Sequence, residues 1–152
     1  MSRGHRLAGA LALVCAIAVA SPMSVGALRA ERGTRIVDGI NWVRASKDLR
    51  TLKGSRRLAR SARARARLMM RADFFAHPSR LRVRGFHRVG EVIAFHRGHK
   101  PRALRTLKRF GKSPPHRQLL LSRKYRRVGA ARAHGRWRGT RATIWVIRVG
   151  KK

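Results

Sequence analysis

Apolar residues return every three or four positions through the first half of the chain. Ile36, Ile40 and Val43 form one stripe and predict a helix over residues 35–47. Ser55, whose hydroxyl can accept from free helical amides, opens a second helix that runs to about Asp73. On a helical wheel Leu58, Ala59, Ala62, Ala66, Met69 and Met70 share one face, and Arg56, Arg60, Arg63, Arg67 and Arg71 line the opposite one. The many alanines let this helix lie close to its neighbours. Beyond Gly90 the period changes. Gly90 to His96 alternates loosely and is rich in Val, Ile and Phe, as a strand should be. Pro101 opens a third helix with Ala103, Leu104, Leu107 and Phe110 on one side. Ser113 and Pro114 open a fourth, with Ser as cap and Pro in the first turn, followed by Leu119 to Leu121. Arg126 to His134 and Thr140 to Val149 read as two strands joined through Gly135, Trp137 and Gly139. Helices first and then a small, mostly antiparallel sheet is the order of an α+β fold.

The N-terminus has a different make-up. Arg3 and Arg6 precede an apolar run from Leu7 to Ala20, with small residues at Ala18-Val19-Ala20 and again at Val25-Gly26-Ala27. That is the pattern of an export signal peptide over residues 1–20, with the cut as late as residue 30. The run is shorter than the roughly 20 apolar residues of a membrane span, and an uncleaved N-terminal anchor is the alternative. Val14 stands where lipidated cysteines want a small residue, which argues against an anchor on Cys15. The only cysteine, Cys15, would leave with the leader, so the exported chain is expected to form no disulfide. Residues 21–33 read as a flexible connector, and one domain over residues 34–152 follows.

Charge changes the picture of the surface. The chain carries 39 Lys and Arg against 5 Asp and Glu, a net +34. Loss of Arg3 and Arg6 with the leader leaves +32. Such a chain repels itself and binds polyanions by releasing their counterions. The expected partners are anionic polymers such as teichoic acid or acidic polysaccharide, anionic lipid headgroups, and nucleic acid non-specifically in vitro. Arg56, Arg60, Arg63, Arg67 and Arg71 are the candidate contact, a solvated helix face being the plainer account. Genome composition explains the arginine excess equally well.

Several short segments occur in a fixed order: Phe74-Phe75-Ala76-His77, Gly90-Glu91-Val92-Ile93-Ala94, Ser113-Pro114-Pro115-His116-Arg117, Tyr125-Arg126-Arg127-Val128-Gly129 and Ile144-Trp145-Val146-Ile147-Arg148-Val149-Gly150. The series resembles the secreted CAP superfamily in its bacterial form, over roughly residues 36–150. Asn41 and Arg44, in an I-N-x-x-R pattern, resemble the family's opening helix. Asn41 is expected to tie two elements together. The resemblance implies a three-layer α-β-α sandwich. It also implies that His77, Glu91 and His116 line a central cleft, which binds zinc in some members. Two positions depart from the family pattern: Val92 replaces an Asn, and Pro115 replaces a Gly. The second cleft Glu of many relatives has no counterpart here, because the preceding helix offers only Lys108, Arg109 and Lys112.

His77, Glu91 and His116 are the residue types that zinc accepts, two imidazoles and a carboxylate. The alternative is that Glu91 is a buried acid paired with His or Arg, a tie across the sheet. Two exposed histidines is the plain reading of His96 and His99, and Ser113 reads as a helix cap rather than a nucleophile beside His116. The sequence reading is therefore a secreted binding or envelope-associated module, more a binder than an enzyme. Its rivals are a basic nucleic-acid-binding protein and a metal-dependent hydrolase using Glu91 as base.

Overall fold

A computed structural model describes residues 25–152, with side chains from Arg35 onward. The leader and its cleavage sites before Val25 lie outside the described residues. In chain order the elements are α1 (Val25–Ala45), β1 (Lys53–Gly54), α2 (Arg56–Arg71), β2 (Arg88–Arg97), α3 (Ala103–Lys112), α4 (Pro114–Leu121), β3 (Arg127–Trp137) and β4 (Thr140–Lys151). The sheet order is β1-β3-β4-β2. β4 pairs antiparallel with both β2 and β3, and only the two-residue β1 is parallel to its neighbour.

Strand parity divides the core in two. Ile93, Ala131, Ala133, Ala142, Ile144 and Val146 face α2, where Ala62, Ala66, Met69 and Met70 meet them. Val92, Val128, Ala130, Trp145, Ile147 and Val149 face the other way, onto Ile36 and Ile40 of α1, Phe110 of α3 and Leu120 of α4. The result is the expected α-β-α sandwich. α2 lies closest to the sheet at Gly129, where an added Cβ would stand 2.1 Å from the Ala59 nitrogen and 2.5 Å from the Leu58 carbonyl carbon. The predicted apolar face of α2 is the buried one, and all five arginines opposite are exposed. Ser55 caps the helix by accepting from Leu58 N–H at 3.4 Å. Asn41 ties α1 to the chain ahead of β1, donating to Leu52 O at 3.0 Å and accepting from Leu52 N–H at 2.8 Å.

Four expectations need correction. α1 begins at Val25, ten residues ahead of the predicted start at residue 35 and inside the segment 21–33 read as a connector. Gly26 and Gly33 are tolerable single glycines in a helix, and no proline interrupts the run. Leu104 is exposed, because α3 buries Ala103, Thr106 and Phe110 instead. Ser113 occupies the cap position of α4 but its side chain makes no capping bond. Gly135 and Trp137 belong to β3 itself, and the hairpin turns on Arg138 and Gly139, at φ 46° and 73°. Positive φ at both central residues suits the two-residue loop to the twist of the strands. Asp73 braces that turn by accepting from Arg138 N–H at 2.7 Å.

The contacts at Gly129 are with backbone, which cannot rotate aside. Gly129→Ala is therefore expected to cost about 3 kcal/mol in urea unfolding, the upper end for overpacking. Gly111→Ala in α3, where nothing stands within 4 Å of the new methyl, should stabilise by about 0.5 kcal/mol. Equal effects at the two sites would refute the close approach.

Candidate functional site

β2 is an edge strand, so its outer side is where the two helical layers meet. The chain leaving α2 is fixed there by its aromatics. Phe75 packs edge-on to Phe95 at 6.3 Å between ring centroids, and Phe95 lies 4.8 Å from Trp137. Trp137 Nε1 donates to Phe74 O at 3.3 Å, and Arg65 Nη2 donates to Ala76 O at 2.6 Å. These contacts deliver His77 to Glu91. From the opposite layer α4 brings His116, whose ring meets Phe110 edge-on at 5.2 Å. α4 and Tyr125 close on β2 at Gly90, where a Cβ would strike Leu119 at 2.7 Å and Tyr125 Oη at 2.9 Å.

Glu91 is the centre of this cluster. Its side chain is 1% exposed, and its partner in register on β4 is Arg148. Both project to the α2 face. Arg148 donates from Nε and Nη2 to Glu91 Oε2 at 2.9 and 2.8 Å, and from Nη1 to Ser61 Oγ of α2. His77 Nδ1 lies 3.0 Å from Glu91 Oε1. A carboxylate only accepts, so Nδ1 carries the proton. His77 is itself 54% exposed. The sequence singled out Glu91 and His77 and allowed an Arg partner for Glu91, but did not assign that role to Arg148. The available signal was a lone cation inside the otherwise apolar run from Ile144 to Gly150 of the closing strand.

This arrangement decides what the cluster can do. Both carboxylate oxygens are hydrogen-bonded and the side chain is closed to solvent, so Glu91 does not face open solvent where a substrate would arrive. Nor do the residues fit a three-ligand zinc centre. Glu91 Oε2 already accepts two N–H groups from a guanidinium cation, and among the described residues no group of three His, Cys, Asp or Glu could hold a metal. His77 and His116 do come near one another, since the charge of His77 helps lower the His116 pKa. The tie across the sheet is what the geometry provides.

Two histidines have their pKa values pushed down by their surroundings. Burial first, and then the charge of His77, lowers His116 below the usual 6.5. His96, expected in solvent, is buried: Trp145 Nε1–H donates to its Nε2 at 3.4 Å and its Nδ1 donates to Arg97 O at 3.1 Å. Burial lowers its pKa; the Arg97 carbonyl opposes this, and Arg102, Arg109 and Arg132 add to the lowering. His99 is exposed, as expected, with Nε2 3.1 Å from Gly135 O and its ring 5.3 Å from that of His134. A second buried cation, Arg44, makes no ion pair with a carboxylate among the described residues. It donates to the carbonyls of Arg50, Leu120 and Ser122 at 2.9, 2.7 and 3.1 Å, joining α1 to α4.

Removing one partner of a buried pair leaves the other charge uncompensated. Glu91→Ala and Arg148→Met are each expected to cost about 3–5 kcal/mol. The double variant should cost about 1–3 kcal/mol less than their sum; additive losses would mean that the pair is not coupled. A separate outcome concerns pH. Depressed folded-state pKa values mean that the unfolded chain takes up protons first. Stability is thus fully present above the ordinary 6.5 and is lost as pH falls through the folded values of His96 and His116. Urea midpoints measured from pH 8 downward should hold steady and then drop below 6.5, and the drop should shrink in His96→Gln/His116→Gln. An unchanged slope in that variant would assign the titration elsewhere.

Comparison with known proteins agrees with the fold. The profile of the cysteine-rich secretory protein (CAP) family matches residues 37–148. No functionally curated protein matches the sequence at a significant level. Among solved structures, an outer surface protein of Borrelia burgdorferi superposes with a TM-score of 0.67 at 18% identity, over 80% of this chain and 93% of that one. An extracellular SCP-domain protein of Bacillus anthracis gives 0.64 at 19% identity, over 88% of this chain and 45% of that one. A cysteine-rich secretory protein of Staphylococcus aureus gives 0.51 at 16%, over 81% and 39%. At these identities the structures speak to fold, while the profile spans most of the sequence: the chain belongs to the CAP family.

Proposed function

We propose that this chain is an exported CAP-domain binding module, not an enzyme, that attaches to anionic polymers of the cell envelope through the outer face of α2. The observation that carries this reading is the row Arg56, Arg60, Arg63, Arg67 and Arg71, five guanidinium groups exposed along one helix with no acid in its first turn. Arg57, Arg60 and Arg84 extend the row into a cleft of about 320 Å³ beside Val83. Guanidinium forks suit phosphate, sulfate and carboxylate groups alike, so the face favours polyanions as a class over any one polymer. The commitment of both Glu91 oxygens to Arg148 and His77 supports a non-catalytic cleft. Export is supported by the basic and apolar make-up of residues 1–20 and by the extracellular or outer-surface descriptions of the Bacillus and Borrelia proteins.

Affinity for teichoic acid, heparin or duplex DNA should fall steeply and similarly with salt, because each neutralised charge releases a counterion. With DNA as probe, replacing Arg56, Arg60, Arg63 and Arg67 by Gln should flatten the log–log salt slope by about 3. A slope that does not move places the contact off α2. N-terminal sequencing of the protein from culture supernatant or envelope should find a start between Ser21 and Glu31. An intact chain from Met1 confined to the cytosol, with ribosomes or nucleoid, would instead support the nucleic-acid reading.

A further inference from the structure

The two most exposed large apolar side chains of the described residues share one groove. Trp42 of α1 is 73% exposed and Leu104 of α3 is 69% exposed. Both line a groove of about 720 Å³ between the two helices, together with Arg35, Arg102, Arg105 and a single acid, Asp38. The exposure follows from the helices' own geometry. α1 spends Ile36, Ile40 and Arg44 on the interior, one every fourth residue, which turns Trp42 to the opposite side. α3 buries Ala103, Thr106 and Phe110, which leaves Leu104 outside. Neither side chain helps the core, and both stand among guanidinium groups.

We propose that this groove is a docking surface for an anionic lipid bilayer, with the Trp42 indole at headgroup level, Leu104 entering the acyl boundary, and Arg35, Arg102 and Arg105 on lipid phosphates. Tryptophan favours the membrane interface because its ring is apolar and its N–H polar. A leucine beside arginines supplies the apolar burial and electrostatic attraction that interfacial binding combines. A second copy of this chain fits poorly, since each copy carries +34 and the patch itself has three arginines to one acid. An anionic polymer would engage the arginines and leave the indole and leucine without a partner. The groove lies in the α1/α3 layer, across the sheet from the arginine face of α2, so the inference goes beyond the polymer-binding reading and does not rest on it.

The test uses the full chain and vesicles of phosphatidylcholine with or without phosphatidylglycerol, part of the lipid carrying bromine in its acyl chains. Trp145 is buried, Trp137 half-buried, and residues 1–24 contain no tryptophan. Lipid quenching present in wild type and missing from Trp42→Phe therefore reports Trp42 alone. That quenching is expected only with phosphatidylglycerol present. Leu104→Ser should weaken the partitioning it measures by about tenfold, and Arg35→Gln/Arg102→Gln/Arg105→Gln should remove its dependence on anionic lipid. Arg56→Gln/Arg60→Gln/Arg63→Gln/Arg67→Gln should keep it, which separates this surface from the polymer face. Circular dichroism checks that each variant folds. Vesicle binding without quenching of Trp42, or quenching untouched by Leu104→Ser, would overturn the proposal. So would a Trp42-dependent dimer in sedimentation, which would give the groove to a second copy, or a Trp42-dependent complex with an acidic protein and none with vesicles.

Discussion

The Glu91–Arg148 pair is the contact on which the rest of the molecule depends. It joins two neighbouring strands in direct register, reaches α2 through Ser61 and holds the loop after α2 through His77. Burying two charges is costly, and the attraction between them offsets that cost only when geometry and further hydrogen bonds are good. Here Ser61 and His77, from α2 and the loop beyond it, satisfy what the pair leaves open. A one-residue slip of β2 against β4 would turn Glu91 to the opposite face and leave both charges stranded. The domain carries no cysteine, the single one being Cys15.

Acids are so scarce that each of these three has a post. Asp73 braces the β3–β4 turn, Glu91 ties β2 to β4 through Arg148, and Asp38 sits among the arginines of the α1/α3 groove. The cations must find other acceptors, and they find carbonyl oxygens and aromatic faces. Arg44 lies buried on three carbonyls, Arg65 and Arg109 reach Ala76 O and Phe95 O, and Arg65, Arg132 and Arg138 lie over Phe74, Trp145 and Trp137. Arginine suits these sites where lysine would not, because its planar, weakly hydrated head can stack and donate along several directions. A basic chain can be folded in this way, with its charges partly absorbed by its own backbone.

The sandwich also separates two surfaces of different chemistry. The α2 layer presents guanidinium groups on a helix whose inner face is nearly all alanine and methionine. The α1/α3 layer presents guanidinium groups around an indole and a leucine. The first suits flexible polyanions, and the second suits a surface with both charge and an apolar interior. Standing on opposite sides of one sheet, they could be engaged together by a protein held between a membrane and the polymer outside it.

The sequence by itself determined the element types, the α+β order and the buried and exposed faces of α2, and it singled out Glu91 as an acid on a buried strand. These are properties of periodicity and of rare residue types in a chain otherwise crowded with arginine. It did not determine partners. Glu91 was legible as a buried acid, but that Arg148 holds it follows from strand register, which pairs positions 57 apart. His96 reads as exposed because Gly98 and Lys100 follow it, yet the strand continues to Arg97 and Trp145 covers the ring. Leu104 reads as core because the stripe of α3 is two residues wide, and only docking against α1 selects which edge is buried. Local pattern tells which face of an element is apolar; which neighbour meets that face, and which charges are thereby brought within 3 Å, is decided by the packing of elements far apart in the chain.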